Sequence, residues 1–200
     1  MYPIKNEEIL NVAVEASLAA SDIIMGAAHH PQIAKVKKSG SDLVTHTDLE
    51  SERIIKSFIC KNYPTHSILA EESDQTDNSS EYLWVIDPLD GTTNFVHGYP
   101  SYSVSIGVYY KNHPVVAVVL EMPHVKLYTA IKDKGAWCEG NKIQASKTIR
   151  LKDSLLVTGF GYQHGDLWEK NMDLFKIFTD KCHGVRRLGS ASIDICHVAT

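Results

Sequence analysis

Apolar residues recur at helical spacing through the first stretch of the chain. Ile9, Val12, Ala13, Ala16, Ala20, Ile23 and Ile24 share one face, which predicts an amphipathic helix over about residues 4–28. The polar run HHPQIAKVKKSGSD follows, broken by Pro31 and Gly40, and reads as a loop. A second helical pattern places Ile54, Ile55, Phe58 and Ile59 on its apolar face. Thr47 and Glu50 stand at capping-box spacing at its start, and Pro64 stops it.

The pattern then changes. SILAEES is a short strand running into carboxylates, DQTDNSS a polar turn, and YLWVID a buried strand. YSVSIGVYY alternates large and small residues at the period of a strand. PVVAVVLEM, KLYTAI and SLLVTGF continue the strand-rich middle, with glycine turns in GAWCEGNKI. Helical spacing returns in DLWEKNMDLFKIFTDKC, where Leu167, Met172, Leu174, Phe175, Ile177 and Phe178 form the apolar set, and again from SASIDICHVAT. Two helices, a strand-rich middle and late helices imply a mixed α/β (α+β) fold with a largely antiparallel sheet, not a regular βαβ alternation. No internal repeat or linker interrupts it. The last apolar-periodic run reaches Thr200 without a cap or breaker, which predicts a single domain truncated at its C-terminal end.

Composition narrows the function classes. With 44% hydrophobic and 22% charged residues, the 200-residue chain can build a sizeable core. A net charge of −4 argues against nucleic-acid binding. No apolar run is expected to approach the ~20 residues that span a bilayer, and the first ten residues lack the pattern of a signal peptide. Cys60, Cys138, Cys182 and Cys196 are scattered, with no C-x-x-C pair, and read as reduced thiols. These features fit a cytoplasmic protein, or one of the plastid stroma if a transit peptide has been removed.

Candidate chemistry lies in carboxylates at the ends of apolar segments: Asp48, Glu71, Asp87 and Asp90. Such residues either cap turns and helices or bind a hard cation. In WVIDPLDGTTNFVHGYP, Pro88 drives Asp87 toward extended geometry, so that Asp87 and Asp90 can converge through a tight turn, with the Leu89 carbonyl nearby. Like charges held that close call for a neutralising cation. Gly91, Thr92 and Thr93 follow, offering amides and hydroxyls without bulk. Carboxylates for metal beside an anion cradle suggest phosphoryl chemistry. No P-loop, G-x-G-x-x-G, H-E-x-x-H or G-x-S-x-G pattern competes.

WVIDPLDGTTNFVHGYP resembles the first signature of the inositol monophosphatase family. SDLVTHTD, AEES and GVRRLGSASIDICHVA support the likeness, and LLVTGFGYQHGDLWEKNM is most similar to cyanobacterial and plastid members. The resemblance implies a layered αβαβα sandwich of the sugar-phosphatase type and an Mg²⁺-dependent, lithium-sensitive phosphomonoesterase acting on inositol monophosphate. Alternatives are histidinol phosphate or another sugar phosphate as substrate, or a catalytically incomplete metal- or phosphate-binding fragment. It further implies two to three Mg²⁺ ions. Glu71, Asp87 and the Leu89 carbonyl would hold the first, Asp87 and Asp90 the second, and Glu71 a looser third. Asp48 with Thr92 would activate the attacking water, and the Gly91 and Thr92 amides would bind phosphate. Asp90, Ser190 and Ala191 would contact the sugar side, and Lys38 or its neighbour Lys37 would sit near the phosphate. Thr93 and Asn94 would hold the turn. A homodimer acting on a small-molecule phosphate monoester, with no membrane partner, is expected. Family members carry a further Trp-Asp signature, completing the second metal site, that this sequence lacks. Without that segment, apolar surface is expected to be exposed on YSVSIGVYY, PVVAVVL and the last helix.

Overall fold

The computed structural model describes residues 4–31, 33–36, 43–161 and 165–200. Helix α1 (Asn6–Ala27) carries a stripe of fully buried residues, Ile9, Ala13, Ala16, Ala20 and Ile24. The three alanines let the helix axis approach its neighbours closely. By length and composition α1 could cross a membrane, contrary to the sequence expectation. Its apolar stripe instead packs into the core against the second helix and the main sheet, so it is the core helix of this fold.

The segment expected to be all loop contains β1 (Ile33–Val36), which pairs antiparallel with β2 (Leu43–Thr45). Helix α2 (His46–Asn62) follows, and its start differs from the expectation. Thr45, not Thr47, is the N-cap, and Asp48, not Glu50, completes the capping box. The amide of Thr45 donates to Asp48 Oδ2 at 2.9 Å, and the Asp48 amide donates back to Thr45 Oγ1 at 3.3 Å. Thr45 is already extended at the end of β2, the backbone state an N-cap needs, whereas Thr47 lies inside the first turn. Glu50 pairs with Arg53 on the exposed face.

The main sheet has seven strands in the order β3 (Ser67–Ala70), β4 (Tyr82–Asp90), β5 (Tyr102–Tyr110), β6 (His113–Met122), β7 (Lys126–Ile131), β8 (Gly135–Cys138) and β9 (Asn141–Ile143). Only β3 and β4 are parallel; every other neighbouring pair is antiparallel. Strand alternation sorts the faces. Trp84 and Ile86 of β4, Val104, Ile106 and Val108 of β5, and Val118 and Leu120 of β6 join the α1 and α2 stripes in one core. The opposite face of β5 carries Ser103, Ser105 and Gly107. A five-residue helix, α3 (Thr92–Val96), follows β4 and buries Phe95.

Beyond the sheet, β10 (Leu155–Val157) and β11 (Gly184–Arg186) pair in parallel around helix α4 (Asp166–Lys181). Helix α5 (Ala191–Val198) contacts β5 and β6 on the serine-bearing face. The fold is thus mixed α/β with a largely antiparallel sheet, as expected. Of the expected second sheet, the described residues contain the β10–β11 pair. The apolar residues of β5 and β6 are buried rather than exposed. The last helix, α5, does expose Ile195 and Val198, as expected, and further exposed large apolar side chains lie on β10 and α4, among them Leu155, Leu167 and Leu174. All four cysteines are free thiols.

Candidate active site

The site forms where β3 and β4 end side by side. Asp87 faces Ser105 across the β4–β5 ladder, and Asp90 faces Ser103. Three steps along β4 therefore match two along β5, which is a β-bulge. Side chains three apart on a regular strand point to opposite faces. The extra residue returns Asp87 and Asp90 to the same face, the one away from the core, while Leu89 between them is buried in it. The two carboxylates thus converge through a bulge within the strand, not through a turn after it. The Leu89 amide donates to Asp87 Oδ1 at 3.2 Å.

Glu71 stands immediately after β3, at the point where the chain doubles back and Thr76 bridges Ile68. Its carboxyl hydrogen-bonds that of Asp87. Burial, and next the charges of Glu71 and Asp90, push the Asp87 carboxyl up to about 8. Part of that shift comes from the like charges of Glu71 and Asp90 held close to Asp87. Among the described residues, no group of three or more His, Cys, Asp or Glu side chains is placed to hold a metal ion. The paired carboxylates of Glu71 and Asp87 still fit Mg²⁺, which is bound through one or two carboxylates and keeps several waters.

Asp48 and Thr92 are brought together across the site. Thr92 Oγ1 lies 2.9 Å from Asp48 Oδ1 and 3.0 Å from the Leu89 carbonyl oxygen. The two oxygens of Asp48 have separate duties: Oδ2 caps α2 by accepting from Thr45, and Oδ1 receives the Thr92 hydroxyl. Burial raises the Asp48 carboxyl above its usual range, against the lowering effect of these hydrogen bonds. Gly91 opens α3 with φ +91°, and a Cβ there would meet the Ser101 carbonyl oxygen at 2.9 Å. Its amide and that of Thr92 stand in the first turn, where helical amides lack acceptors of their own.

Asn94 holds that turn, as expected. Its Nδ2 donates to the carbonyls of Ser101, at 2.6 Å, and Leu188, at 2.7 Å. The second bond ties α3 to the loop before α5, where Gly189, at φ +89°, leaves only 3.0 Å between a built Cβ and Asn94 Nδ2. Ser190 and Ala191 are thereby set beside Asp90. Ser190 is the α5 N-cap, yet its side chain accepts no hydrogen bond from its own helix; its hydroxyl donates instead to Asp90 Oδ2 at 2.7 Å. Ser192 adds its amide, 2.7 Å, and its hydroxyl, 2.6 Å, to the same oxygen. A cavity of about 500 Å³ opens here, lined by Asp90, Ser190, Ala191, Asp194, Phe160 and Arg187 among others. Lys37 and Lys38 lie outside the described residues.

Sequence reasoning missed Ser192, Ser103, Asp194, Ser51 and Glu52. Ser103 and Ser192 share a hydrogen bond of 2.6 Å, and the two residues lie too far apart in sequence for any local pattern to pair them. Asp194 is buried, its carboxyl raised by burial and by the charge of Asp90. The helical spacing of Asp48, Ser51 and Glu52 was a legible signal: three polar residues on the buried face of α2.

A sequence model of the inositol monophosphatase family matches residues 5–200. The chain belongs to the inositol monophosphatase family. It is 48% identical over 198 residues to the Arabidopsis thaliana chloroplast phosphatase IMPL1, covering 96% of this chain and 53% of that one. It therefore spans about half the length of this family relative. The structure of an inositol monophosphatase from Anabaena superposes with a TM-score of 0.82 at 39% identity, over 96% of this chain and 71% of that one. A staphylococcal inositol monophosphatase-1, in an inhibitory complex soaked with LiCl, superposes at 0.84 with 25% identity, over 98% and 72%. The family assignment and the likeness to a plastid member agree with the sequence reading.

Proposed function

We propose that this chain is a phosphomonoesterase that hydrolyses inositol monophosphate with Mg²⁺. The observation that carries the proposal is the Thr92–Asp48 hydrogen bond set beside the Glu71, Asp87 and Asp90 cluster. Glu71, Asp87 and the Leu89 carbonyl would hold one Mg²⁺, and Asp87 with Asp90 would contribute to a second. When bound, such ions lower the pKa of a ligated water and stabilise the charge on the leaving oxygen.

The chain's own residues supply the rest. Thr92 passes its hydroxyl proton to Asp48 Oδ1 and accepts one from the attacking water. Burial raises the Asp48 carboxyl above its ordinary value, which makes it a better acceptor for that proton. The Gly91 and Thr92 amides bind the phosphate oxygens. Asp90, held by Ser190 and Ser192, orients a polyol hydroxyl, with Ala191 along the same wall. Family resemblance supports a homodimer, and the likeness to a chloroplast phosphatase supports a plastid or cytoplasmic location.

A second reading is favoured by the lack, among the described residues, of any group of three or more His, Cys, Asp or Glu placed to hold a metal ion: binding of metal and phosphate without turnover. Phosphate release from inositol 1-phosphate, with and without Mg²⁺, separates the two. Mg²⁺-dependent release supports the phosphatase. Mg²⁺ binding with no release, also with histidinol phosphate and other sugar phosphates, supports the second reading.

A further inference from the structure

Three residues on one face of α2 reach three different segments of the site. Asp48 receives Thr92 from the turn after β4. Ser51, fully buried one turn later, donates its hydroxyl to the Pro88 carbonyl at 2.8 Å, inside the β4 bulge. Glu52, only 4% exposed, accepts the backbone amide of Glu72 on Oε2 at 2.8 Å and the Ser73 hydroxyl on Oε1. Lys56 lies one turn further along, 3.8 Å from Glu52 Oε1, and donates to Ser73 Oγ at 2.8 Å.

Burying a carboxylate is costly unless its partners are fixed donors. Glu52 has two, and both belong to the segment just after Glu71. The loop 71–81 is otherwise exposed over most of its length, and Glu71 itself is exposed. Its backbone is anchored at Ile68–Thr76 on one side and at Glu52 on the other. The α2 face is therefore a rigid element that touches both carboxylate-bearing segments just beyond the β3–β4 pairing, Glu71–Glu72 through Glu52 and Asp87–Asp90 through Ser51.

We propose that Glu52 is a positioning residue for cation binding. By holding the Glu72 amide, with Ser51 holding Pro88, it fixes the spacing between the Glu71 and Asp87 carboxylates. The inference rests on the Mg²⁺ reading above but assigns a role to a residue that is not itself a ligand. Groups that orient metal ligands typically contribute about 10- to 100-fold in metal affinity.

The test is a direct Mg²⁺ titration by calorimetry of the parent chain, Glu52→Ala and Glu52→Gln, with metal-free thermal midpoints measured alongside. Glu52→Ala is expected to weaken Mg²⁺ binding roughly tenfold or more. Glu52→Gln, whose amide oxygen can still accept from Glu72, is expected to recover most of that loss. The half-saturating Mg²⁺ for turnover should shift with the binding constant, while the substrate KM at saturating Mg²⁺ stays nearly unchanged. Should Glu52→Ala fail to fold, Ser73→Ala, which removes one of the two donors to Glu52, carries the comparison, with a smaller weakening expected. Unchanged Mg²⁺ affinity in folded Glu52→Ala, or in Ser73→Ala where it stands in, overturns the positioning role and leaves the metal reading intact. A parent chain that binds no Mg²⁺ overturns both, and is recognised in the parent titration alone.

Discussion

Ser192 donates both its amide and its hydroxyl to one oxygen of Asp90, at 2.7 and 2.6 Å. With Ser190 on the same oxygen, Asp90 is held by α5 across about half the length of the chain. Because the Ser192 hydroxyl is committed to Asp90, Ser103 must donate to Ser192, which gives the cluster one direction: Ser103 to Ser192 to Asp90.

Ser192→Ala should therefore loosen Asp90 without removing it. A hydrogen bond to a charged group is worth about 1.5–3 kcal/mol, so kcat/KM for inositol 1-phosphate should fall by roughly ten- to a hundredfold. Ser103→Ala, one bond further away, should cost less. Equal losses in the two variants would show that the cluster acts as packing rather than as a directed chain of donors.

Thr92 and Asp48 should behave as one unit. Thr92→Val keeps the shape but removes the donor, and Asp48→Asn removes the proton acceptor. Each should lower kcat by about 10²–10⁴-fold, the range of general acid–base catalysis. The double variant should be little worse than the poorer single one. Asp48→Asn should also lower the thermal midpoint, because Asp48 completes the α2 capping box, whereas Thr92→Val should leave the midpoint closer to the parent value. Additive losses in kcat would separate the two residues.

The Asp87 carboxyl gives a signed pH dependence. Its folded-state pKa, about 8, lies above the ordinary carboxylate value, so the folded metal-free chain binds more protons than the unfolded one across the window between them. Stability from this group is full at acid pH and is lost as pH rises toward 8. Asp48 is shifted in the same direction. Metal-free protein should thus become less stable as pH rises through that range, and Mg²⁺ should stabilise it most at the alkaline end. Mg²⁺ binding near pH 7 should also release protons, visible as a buffer-dependent calorimetric heat. Proton uptake on binding, or a rising metal-free stability curve, would contradict the raised Asp87.

Local patterns carried α1, α4 and the antiparallel meander, because helical and strand periods are set by neighbours in sequence. The match of D-P-x-D-G-T-T-N to a family brought out Asp87, Asp90 and Thr92 as well. What stayed hidden depended on partners distant in sequence. Pro88 suggested a turn, but the strand continues through it because the bulge keeps Asp90 opposite Ser103. Thr47 and Glu50 matched the spacing of a capping box, but Thr45 won because β2 already holds it extended. Glu52 looked like any helix carboxylate until the return of the chain after β3 placed the Glu72 amide against it.

Far from the site, His66 makes the last prediction. It is stacked between Tyr63 and Tyr82, with ring centroids 4.7 and 4.6 Å away, and its Nδ1 accepts the Trp84 indole N–H at 3.0 Å. Accepting there requires an unprotonated Nδ1, and burial lowers the pKa of the ring below its ordinary value. The unfolded chain therefore binds a proton first as pH falls, and stability is lost below about 6.5 until the folded-state pKa is passed. His66→Phe can still stack but cannot charge or accept. It should be less stable than the parent at pH 7.5, by about 1–3 kcal/mol for the stranded Trp84 donor. Its midpoint should then change less steeply than the parent's between pH 6.5 and 5, so the two curves converge on acidification. Parallel curves in a pH series of denaturant melts would remove His66 from the acid response.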